Sequence, residues 1–499
     1  MSNRPNILLI TADQWRGDCL GTVGHPVVRT PNLDAFAENA TVFEQHYAAT
    51  APCSPSRASL YTGLYQMNHR VVRNGAPLDD RFDNIARAAR RAGYTPTLFG
   101  YTDTSPDPRQ HDPNDPALKT YEGVLPGFAV RQSLHEDDKP WLSWLTTRGY
   151  DPVEFDKIHQ VEQEEDERVS LAPPRYSHDE TQTAFLTNTF LTWLEEQKGE
   201  DRPWMAHVSF LRPHPPIAVP APYNTMYDPE EGPDFAGAES AEKEVSAHPV
   251  IAALQDVQRV ASHIPGASGL VRDLARRDLA RIRALYYGMI TEVDAQLGRI
   301  FSVLDSLENT MIIFTSDHAE MMGDHWMLGK GGYYKESYHI PLVIRSPYAT
   351  KGNRVTSFTS STDVFPTLLD VLEIDPEHAP DGRSLAPFLV GTTPTVWRDA
   401  ALWEFDCREL MKRCPHHFPD TSSHTPPALL VRMGADWQYV HVTGLPGILL
   451  KDAGVTDIED YSDQCQDLVC ANIEALLTTR LRHNDETLAR TLVWDYYGQ

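Results

Sequence analysis

Four short apolar runs, each breaking at once into polar and ionisable residues, constrain this chain more than any other feature. Asn6-Ile7-Leu8-Leu9-Ile10 runs into Thr11-Ala12-Asp13-Gln14, and Pro96-Thr97-Leu98-Phe99 into Gly100-Tyr101-Thr102-Asp103. Met205-Ala206-His207-Val208-Ser209-Phe210-Leu211 precedes Arg212-Pro213-His214-Pro215-Pro216, and Met311-Ile312-Ile313-Phe314 ends in Thr315-Ser316-Asp317-His318. Continuous apolar strands of this kind suit a parallel sheet covered on both faces. In open α/β sheets the site lies beyond the carboxyl ends of the strands, where these polar residues fall.

Helices fill the intervals. Leu33, Phe36, Ala37 and Ala40 keep helical spacing after Pro31, and residues 83–92 read as a helix stopped by Gly93. The longest is predicted over about residues 270–304, with an apolar stripe through Ile282, Leu285, Tyr286, Met289, Val293, Ile300 and Phe301. Residues 110–245 are richer in proline, charge and aromatics, and read as extended excursions over the active-site face. The acidic run at residues 162–167 reads as a solvated face.

The fold expected is α/β: a large, mixed, mainly parallel sheet flanked by helices over residues 1–388. A smaller α+β domain on an antiparallel sheet follows over residues 389–499. Its strands are read at residues 401–405, 428–432 and 437–441, the last two joined through Gly434-Ala435-Asp436. A length of 499 residues, 41% of them hydrophobic, is enough for such a core. The terminal Trp494-Asp495-Tyr496-Tyr497 reads as a subunit contact, making a homo-oligomer the expectation, or as packing on its own domain.

A formal charge of −26 argues against nucleic acid as a partner. It does not argue against an anionic substrate, because local cations decide what a pocket attracts. No run approaches the roughly 20 apolar residues of a membrane span, and no signal peptide is visible after Met1. Six cysteines with no C-x-x-C pair read as reduced thiols in a cytoplasmic protein.

The chemistry concentrates in Cys53-Ser54-Pro55-Ser56-Arg57-Ala58-Ser59-Leu60-Tyr61-Thr62-Gly63. Pro55 suits the start of a helix and Gly63 its end, so Cys53 is placed where free helix N–H groups favour an anion. Arg57 follows one turn on and can reach the same anion. Asp13 and Asp317 each end a strand, with Gln14 and His318 beside them. Two carboxylates, an amide oxygen and an imidazole would hold one divalent ion.

The cysteine run resembles, position for position, the C-x-P-S-R…T-G signature of type I sulfatases in the alkaline phosphatase superfamily. Ser316-Asp317-His318-Ala319-Glu320, then Gly323-Asp324-His325 and Gly329-Lys330, is similar to that family's S-D-H-G-E…G-D-H…G-K, with Ala319 replacing a glycine. The resemblance covers nearly the whole chain and is closest to the phosphonate monoester hydrolases, beside the arylsulfatases. Asp13-Gln14-Trp15, Met67-Asn68-His69-Arg70 with Asn74, and Arg212-Pro213-His214-Pro215-Pro216 carry that placement, as does the run from Gly100 to Pro108. Many arylsulfatases have G-K-x-H at this last place, where this chain has Tyr101 and Asp103.

The resemblance implies an α/β fold of the alkaline phosphatase and sulfatase type. It implies hydrolysis of sulfate monoesters, phosphonate monoesters or phosphodiesters, with small anionic esters as substrates. A maturation enzyme would oxidise Cys53 to formylglycine, whose hydrate is the nucleophile. Asp13, Gln14, Asp317 and His318 would hold one divalent metal ion, Mn²⁺ or Ca²⁺. Arg57 would orient the nucleophile, while Lys330 and His214 would contact the non-bridging and leaving-group oxygens. Tyr101 and Asn74 would bond the substrate. Read from the residues alone, His214 equally suits a rigid proline-flanked loop, Lys330 a glycine-flanked one, Tyr101 a packed aromatic and Asn74 a turn. Asp324 and His325 suit loop roles as well as ligation. Asp103 departs from both groups of relatives; it is either a base acting on the second hydroxyl of the nucleophile or an acceptor for the Thr104-Ser105 loop. The competing readings are a two-metal phosphatase or phosphotransferase and a non-catalytic relative.

Overall fold

Eight strands form one sheet in the spatial order Ala129–Ser133, Pro96–Gly100, Met205–Phe210, Asn6–Ala12, Thr310–Thr315, Leu342–Arg345, Thr41–Phe43, Asn353–Val355. A computed structural model describes residues 4–200, 202–418, 427–451 and 458–483. The first five strands are parallel, and only Leu342–Arg345 runs against the rest. The register pairs Thr11 with both Ser209 and Thr315, so the strands carrying Asp13, His214 and Asp317 end together.

The central strand shows why the apolar runs are continuous. Leu8, Ile10 and Ala12 pack on one side with Phe36, Ile290, Val293 and Phe301, while Ile7 and Leu9 pack on the other with Leu60, Ile85 and Leu368. Alternate residues of a strand face opposite sides, and both sides here are covered. The helices Pro31–Ala37, Gln182–Glu196 and Arg276–Leu304 cover the first side; Cys53–Thr62, Ile85–Arg91 and Val364–Leu372 cover the second.

Three sequence expectations need correction. The long helix begins at Arg276, because the Asp278 carboxylate accepts from the Ala275 N–H at 3.1 Å and caps it there. The stretch read as extended excursions contains the helices Lys139–Thr146 and Gln182–Glu196, the latter buried through Leu186, Phe190, Trp193 and Leu194. Its density of polar residues hid that stripe. The helix expected to follow Cys53 instead includes it, running Cys53–Thr62.

The antiparallel sheet is a meander of Ala401–Asp406, Ala428–Met433, Trp437–Val442 and Ile448–Lys451, the last strand not anticipated. It docks beside the segment leading to Cys53. Trp403 stacks on Tyr47 and Tyr338, and the Glu404 N–H donates to the Ala49 carbonyl at 2.9 Å. Residues 494–497 lie outside the described residues. All six cysteines are free, and no helix among the described residues is long and apolar enough to cross a membrane.

Candidate active site

Every residue of the Cys53–Thr62 helix is buried, although half of them are polar. Their side chains bond inward: Ser56 Oγ donates to the Asp317 carbonyl at 2.5 Å, Ser59 Oγ meets His69 Nε2 at 2.9 Å, and Thr62 Oγ1 donates to the Ala58 carbonyl at 2.6 Å. Gly63 ends the helix at φ 70°, a left-handed conformation that glycine adopts without strain. Pro55 lies in the first turn, where a missing N–H costs nothing. Asn74 accepts from the Ser54 N–H at 3.0 Å, so its oxygen satisfies one of the free donors at the helix start.

Arg57 is fully buried, and each of its nitrogens is engaged. Nη2 donates to Asp13 Oδ2 and Nε to Asp317 Oδ2, both at 3.1 Å. Nη1 donates to Ser209 Oγ at 2.9 Å and to Tyr61 Oη at 3.3 Å. The Tyr101 ring covers the guanidinium at 4.3 Å, and Tyr101 Oη donates to Asp13 Oδ2 at 2.5 Å. A planar fork can bridge two carboxylates in this way, where a lysine could not. Arg57 therefore holds the two acids in place rather than reaching past Cys53.

Asp13, Cys53, Asp317 and His318 converge, with one ligand atom from each lying within 4.8 Å of the others. Cys53 Sγ is 3.1 Å from His318 Nε2, which stands 3.8 Å from Asp13 Oδ1 and 3.7 Å from Asp317 Oδ2. His318 Nδ1 donates to the Ala319 carbonyl at 3.2 Å, leaving the Nε2 lone pair turned into the cluster. Asp13 Oδ1 is buried with no hydrogen-bond partner. These groups fit one divalent cation, for which an orphaned buried carboxylate oxygen among carboxylate and imidazole donors is a natural ligand.

The electrostatics agree. Burial pushes the Asp317 carboxyl up to about 7, and the neighbouring Asp13 charge adds to this. Burial, then the Lys330 charge, pushes both His318 and His214 down to about 3, so both rings are neutral near pH 7. Burial first, then the Asp13 charge, pushes the Cys53 thiol well above its usual range.

Gln14 adopts φ 68°, a strained conformation for a non-glycine residue. Its N–H donates to Asp317 Oδ1 at 3.2 Å, its side-chain Nε2 donates to Glu320, and its Oε1 accepts from Lys330 Nζ at 2.7 Å. Glu320 in turn accepts from the Met322 N–H at 3.1 Å and the Gly329 N–H at 2.5 Å, which folds the loop back and delivers Lys330. Gly331 has φ 113°, and a Cβ there would stand 3.1 Å from Phe405. His214 sits in a loop pinned by Arg212, whose Nη1 donates to the His214 and Pro216 carbonyls, both at 2.7 Å. Its Nδ1 bonds the Pro215 carbonyl at 2.7 Å, which leaves Nε2 as the free nitrogen.

Asp103 is buried at φ 49°, with Oδ2 4.0 Å from Arg57 Nε and Oδ1 without a partner. Thr104 Oγ1 and Ser105 Oγ bond the Thr102 and Tyr121 carbonyls instead of Asp103. Burial, then the Asp13 and Asp317 charges, pushes its carboxyl well above the ordinary range against the pull of Arg57. Asp324 and His325 stand apart from the cluster. Asp324 pairs with Arg16 at 2.5 Å and Arg283 at 2.8 Å, while His325 bonds Glu244 at 2.8 Å and stacks on Tyr334. Sequence reasoning assigned no role to Glu320, Ser209 or Tyr61. Glu320 carried a signal in its place two residues beyond His318; Ser209, inside an apolar run, carried none.

Residues 5–374 match the sulfatase family. The chain is 36% identical over 502 residues to the multifunctional alkaline phosphatase superfamily protein PehA of Trinickia caryophylli, covering 97% of each chain. It is 31% identical over 410 residues to an arylsulfatase of Clostridium perfringens, covering 79% of this chain and 80% of that one. The crystal structure of a phosphonate monoester hydrolase of Agrobacterium radiobacter superposes with a TM-score of 0.94 at 52% identity, covering 99% of this chain and 98% of that one.

Proposed function

The chain belongs to the sulfatase family, and on that premise we propose that it hydrolyses phosphonate monoesters and phosphodiesters, with sulfate monoesters as further substrates, using a nucleophile made from Cys53 beside one divalent metal ion. That it is an ester hydrolase follows from the family and its relatives. The observation that carries the finer reading is the convergence of Cys53 Sγ with Asp13, Asp317 and His318 within 4.8 Å. Among the described residues the only other such cluster lies on Asp256, His416 and His417, so no second ligand set adjoins the first, as a two-metal phosphatase would need.

Asp13, Asp317, His318 and the amide oxygen of Gln14 would hold the metal, Mn²⁺ or Ca²⁺. When bound, it supplies positive charge that acidifies a hydroxyl and polarises the ester. Formylglycine at position 53, formed by a maturation enzyme, would supply as its hydrate one hydroxyl to attack and a second to expel the anion. Arg57 holds Asp13 and Asp317 in register. Lys330, already aimed into the site by Gln14, donates to the non-bridging oxygens. His214, with Nδ1 committed to a carbonyl, presents Nε2 to the leaving-group side. Asn74, whose oxygen is taken by the Ser54 N–H, would offer its amide N–H₂ to the substrate, while Tyr101, bonded to Asp13 and stacked over Arg57, would act by holding those groups. Phosphonate monoesters, phosphodiesters and sulfate monoesters share a singly charged tetrahedral centre from which one ester group leaves per turnover, which supports one site for all three. The 52% identity to a phosphonate monoester hydrolase, and Tyr101 at the place of the arylsulfatase lysine, favour the phosphorus esters; Asp103 departs from both groups and favours neither.

The test is turnover of an aryl phosphonate monoester, a bis-aryl phosphodiester and an aryl sulfate by chelated enzyme given back Mn²⁺, Ca²⁺ or Zn²⁺. Restoration by one equivalent of Mn²⁺ or Ca²⁺, with the phosphorus esters turned over faster, is expected. Activity that needs two zinc ions per chain overturns the reading.

A further inference from the structure

A second cluster of metal-binding groups lies on the protein surface, where the turn Pro415–His417 meets the helix Pro249–Val257. His417 Nε2 stands 2.8 Å, and His416 Nε2 3.4 Å, from the same oxygen of Asp256, Oδ2. One ligand atom from each of the three lies within 4.8 Å of the others. We propose that His416, His417 and Asp256 form a binding site for a borderline transition-metal dication, Zn²⁺, Cu²⁺ or Ni²⁺, separate from the Cys53 centre.

The donor set argues for that class of ion. Two imidazole nitrogens and one carboxylate oxygen suit zinc, copper and nickel, whereas Ca²⁺ and Mg²⁺ prefer oxygen throughout. Arg272 occupies the other oxygen of Asp256 and holds the carboxylate in one orientation, leaving Oδ2 as a single ligand atom. Water can complete the coordination, because His416 is 65% exposed.

The turn is built rather than loose. Cys414 Sγ donates to the Ala253 carbonyl at 3.8 Å, and Arg413 Nη2 donates to the Val257 carbonyl at 3.4 Å; both carbonyls belong to the helix that carries Asp256. Cys414 and Phe418 are buried on either side of the two histidines. The imidazoles are thus held toward Asp256 before any ion arrives, which lowers the ordering cost of binding.

The location gives the ion something to stabilise. It would tie the C-terminal region to the helix Pro249–Val257. A Cβ on Gly331 would lie 3.6 Å from Leu254, and one on Gly332 2.8 Å from Leu254 and 3.5 Å from Ile251, so that helix backs the loop that presents Lys330.

The experiment uses enzyme whose Cys53 centre is already loaded with its own metal, titrated with Zn²⁺ by calorimetry and with Cu²⁺ by electron paramagnetic resonance. The parent should bind one equivalent more than the double variant His416→Gln/His417→Gln, and the Cu²⁺ signal of that equivalent should show coupling to two nitrogens. Asp256→Asn should weaken the same equivalent on the order of 100-fold. Zn²⁺ should raise the thermal midpoint of the parent but not of the double variant, while basal ester turnover is the same in both. Equal stoichiometry and affinity in parent and double variant would show only a surface ion pair between His417 and Asp256, and would overturn the site.

Discussion

Lys330 Nζ donates to Oε1 of Gln14 at 2.7 Å, and this contact, beside that of Gln14 Nε2 with Glu320, joins the loop that would meet the substrate to the strand end that carries Asp13. The contact depends on Glu320. Its carboxylate takes two backbone N–H groups and the Gln14 amide N–H₂, which turns the Gln14 oxygen toward Lys330.

Glu320→Gln breaks that logic without changing size. The new amide oxygen must serve Met322 and Gly329, so an N–H₂ faces the Gln14 N–H₂ and turns the Gln14 amide over. Metal retention should fall about 10–100-fold, as when other partners of metal ligands are removed. Equilibrium dialysis with Mn²⁺ measures it. Unchanged affinity in a folded variant would show that the Gln14 amide is not oriented by Glu320.

Arg57 balances a buried group of acids, so its loss should be felt in stability as well as rate. Arg57→Leu leaves Asp13 and Asp317 facing each other, and metal-free protein should lose about 3–5 kcal/mol in denaturant unfolding. Arg57→Lys should recover only part of this, since an ammonium cannot bridge both carboxylates. A leucine variant as stable as the parent would contradict the role assigned to Arg57.

The strand ends were legible because burial on both faces keeps the strands mainly apolar and free of carboxylates, so Asp13, Asp317 and His214 stand out where each run stops. Polar residues inside them, such as Thr11, His207 and Ser209, bond one another. The helix after Ala51-Pro52 was legible from Pro55 and Gly63, within two residues. What could not be read was partnership. Nothing in the sequence says that Arg57 points at Asp13 and Asp317, or that Ser209 on another strand completes its bonding. Those contacts span 152 residues for Ser209 and 260 for Asp317, and only the folded sheet brings them together. The helix Gln182–Glu196 was missed for a different reason: its threonines and glutamates mask a stripe that tertiary packing selects.

Glu292, buried on the long helix, provides a pH test remote from the chemistry. Burial raises its carboxyl from 4.5 to about 7, while the Thr181 hydroxyl, donating at 2.7 Å, pulls the other way. The folded state keeps a proton that the unfolded chain loses, so this contribution is present below pH 4.5 and is lost as pH rises through 7. Glu292→Gln keeps the acceptor without the charge. Its stability relative to the parent should grow between pH 5 and pH 8 by up to about 3 kcal/mol, read from denaturation midpoints. A difference that does not change with pH would mean that Glu292 does not titrate in that interval.

Asp103 carries an orphaned oxygen, Oδ1, and makes none of the loop hydrogen bonds that a structural acceptor would make. It is therefore expected to move a proton when the anion is expelled from position 53. Asp103→Asn and Asp103→Thr should slow turnover of sulfate and phosphonate monoesters and build up a covalent adduct visible by intact mass. Absence of an adduct, with all esters changing together, would return Asp103 to the loop.

The central claim is that Cys53 becomes the nucleophile. The direct measurement is the mass of the peptide containing residue 53 from active enzyme, before and after reaction with a hydrazine, alongside turnover by Cys53→Ala. Conversion of the thiol side chain to an aldehyde, hydrazone formation that tracks loss of activity, and a fall of about a thousandfold or more in the folded alanine variant are the predicted results. An unmodified cysteine in fully active enzyme, or an alanine variant within a few-fold of the parent, would contradict the account.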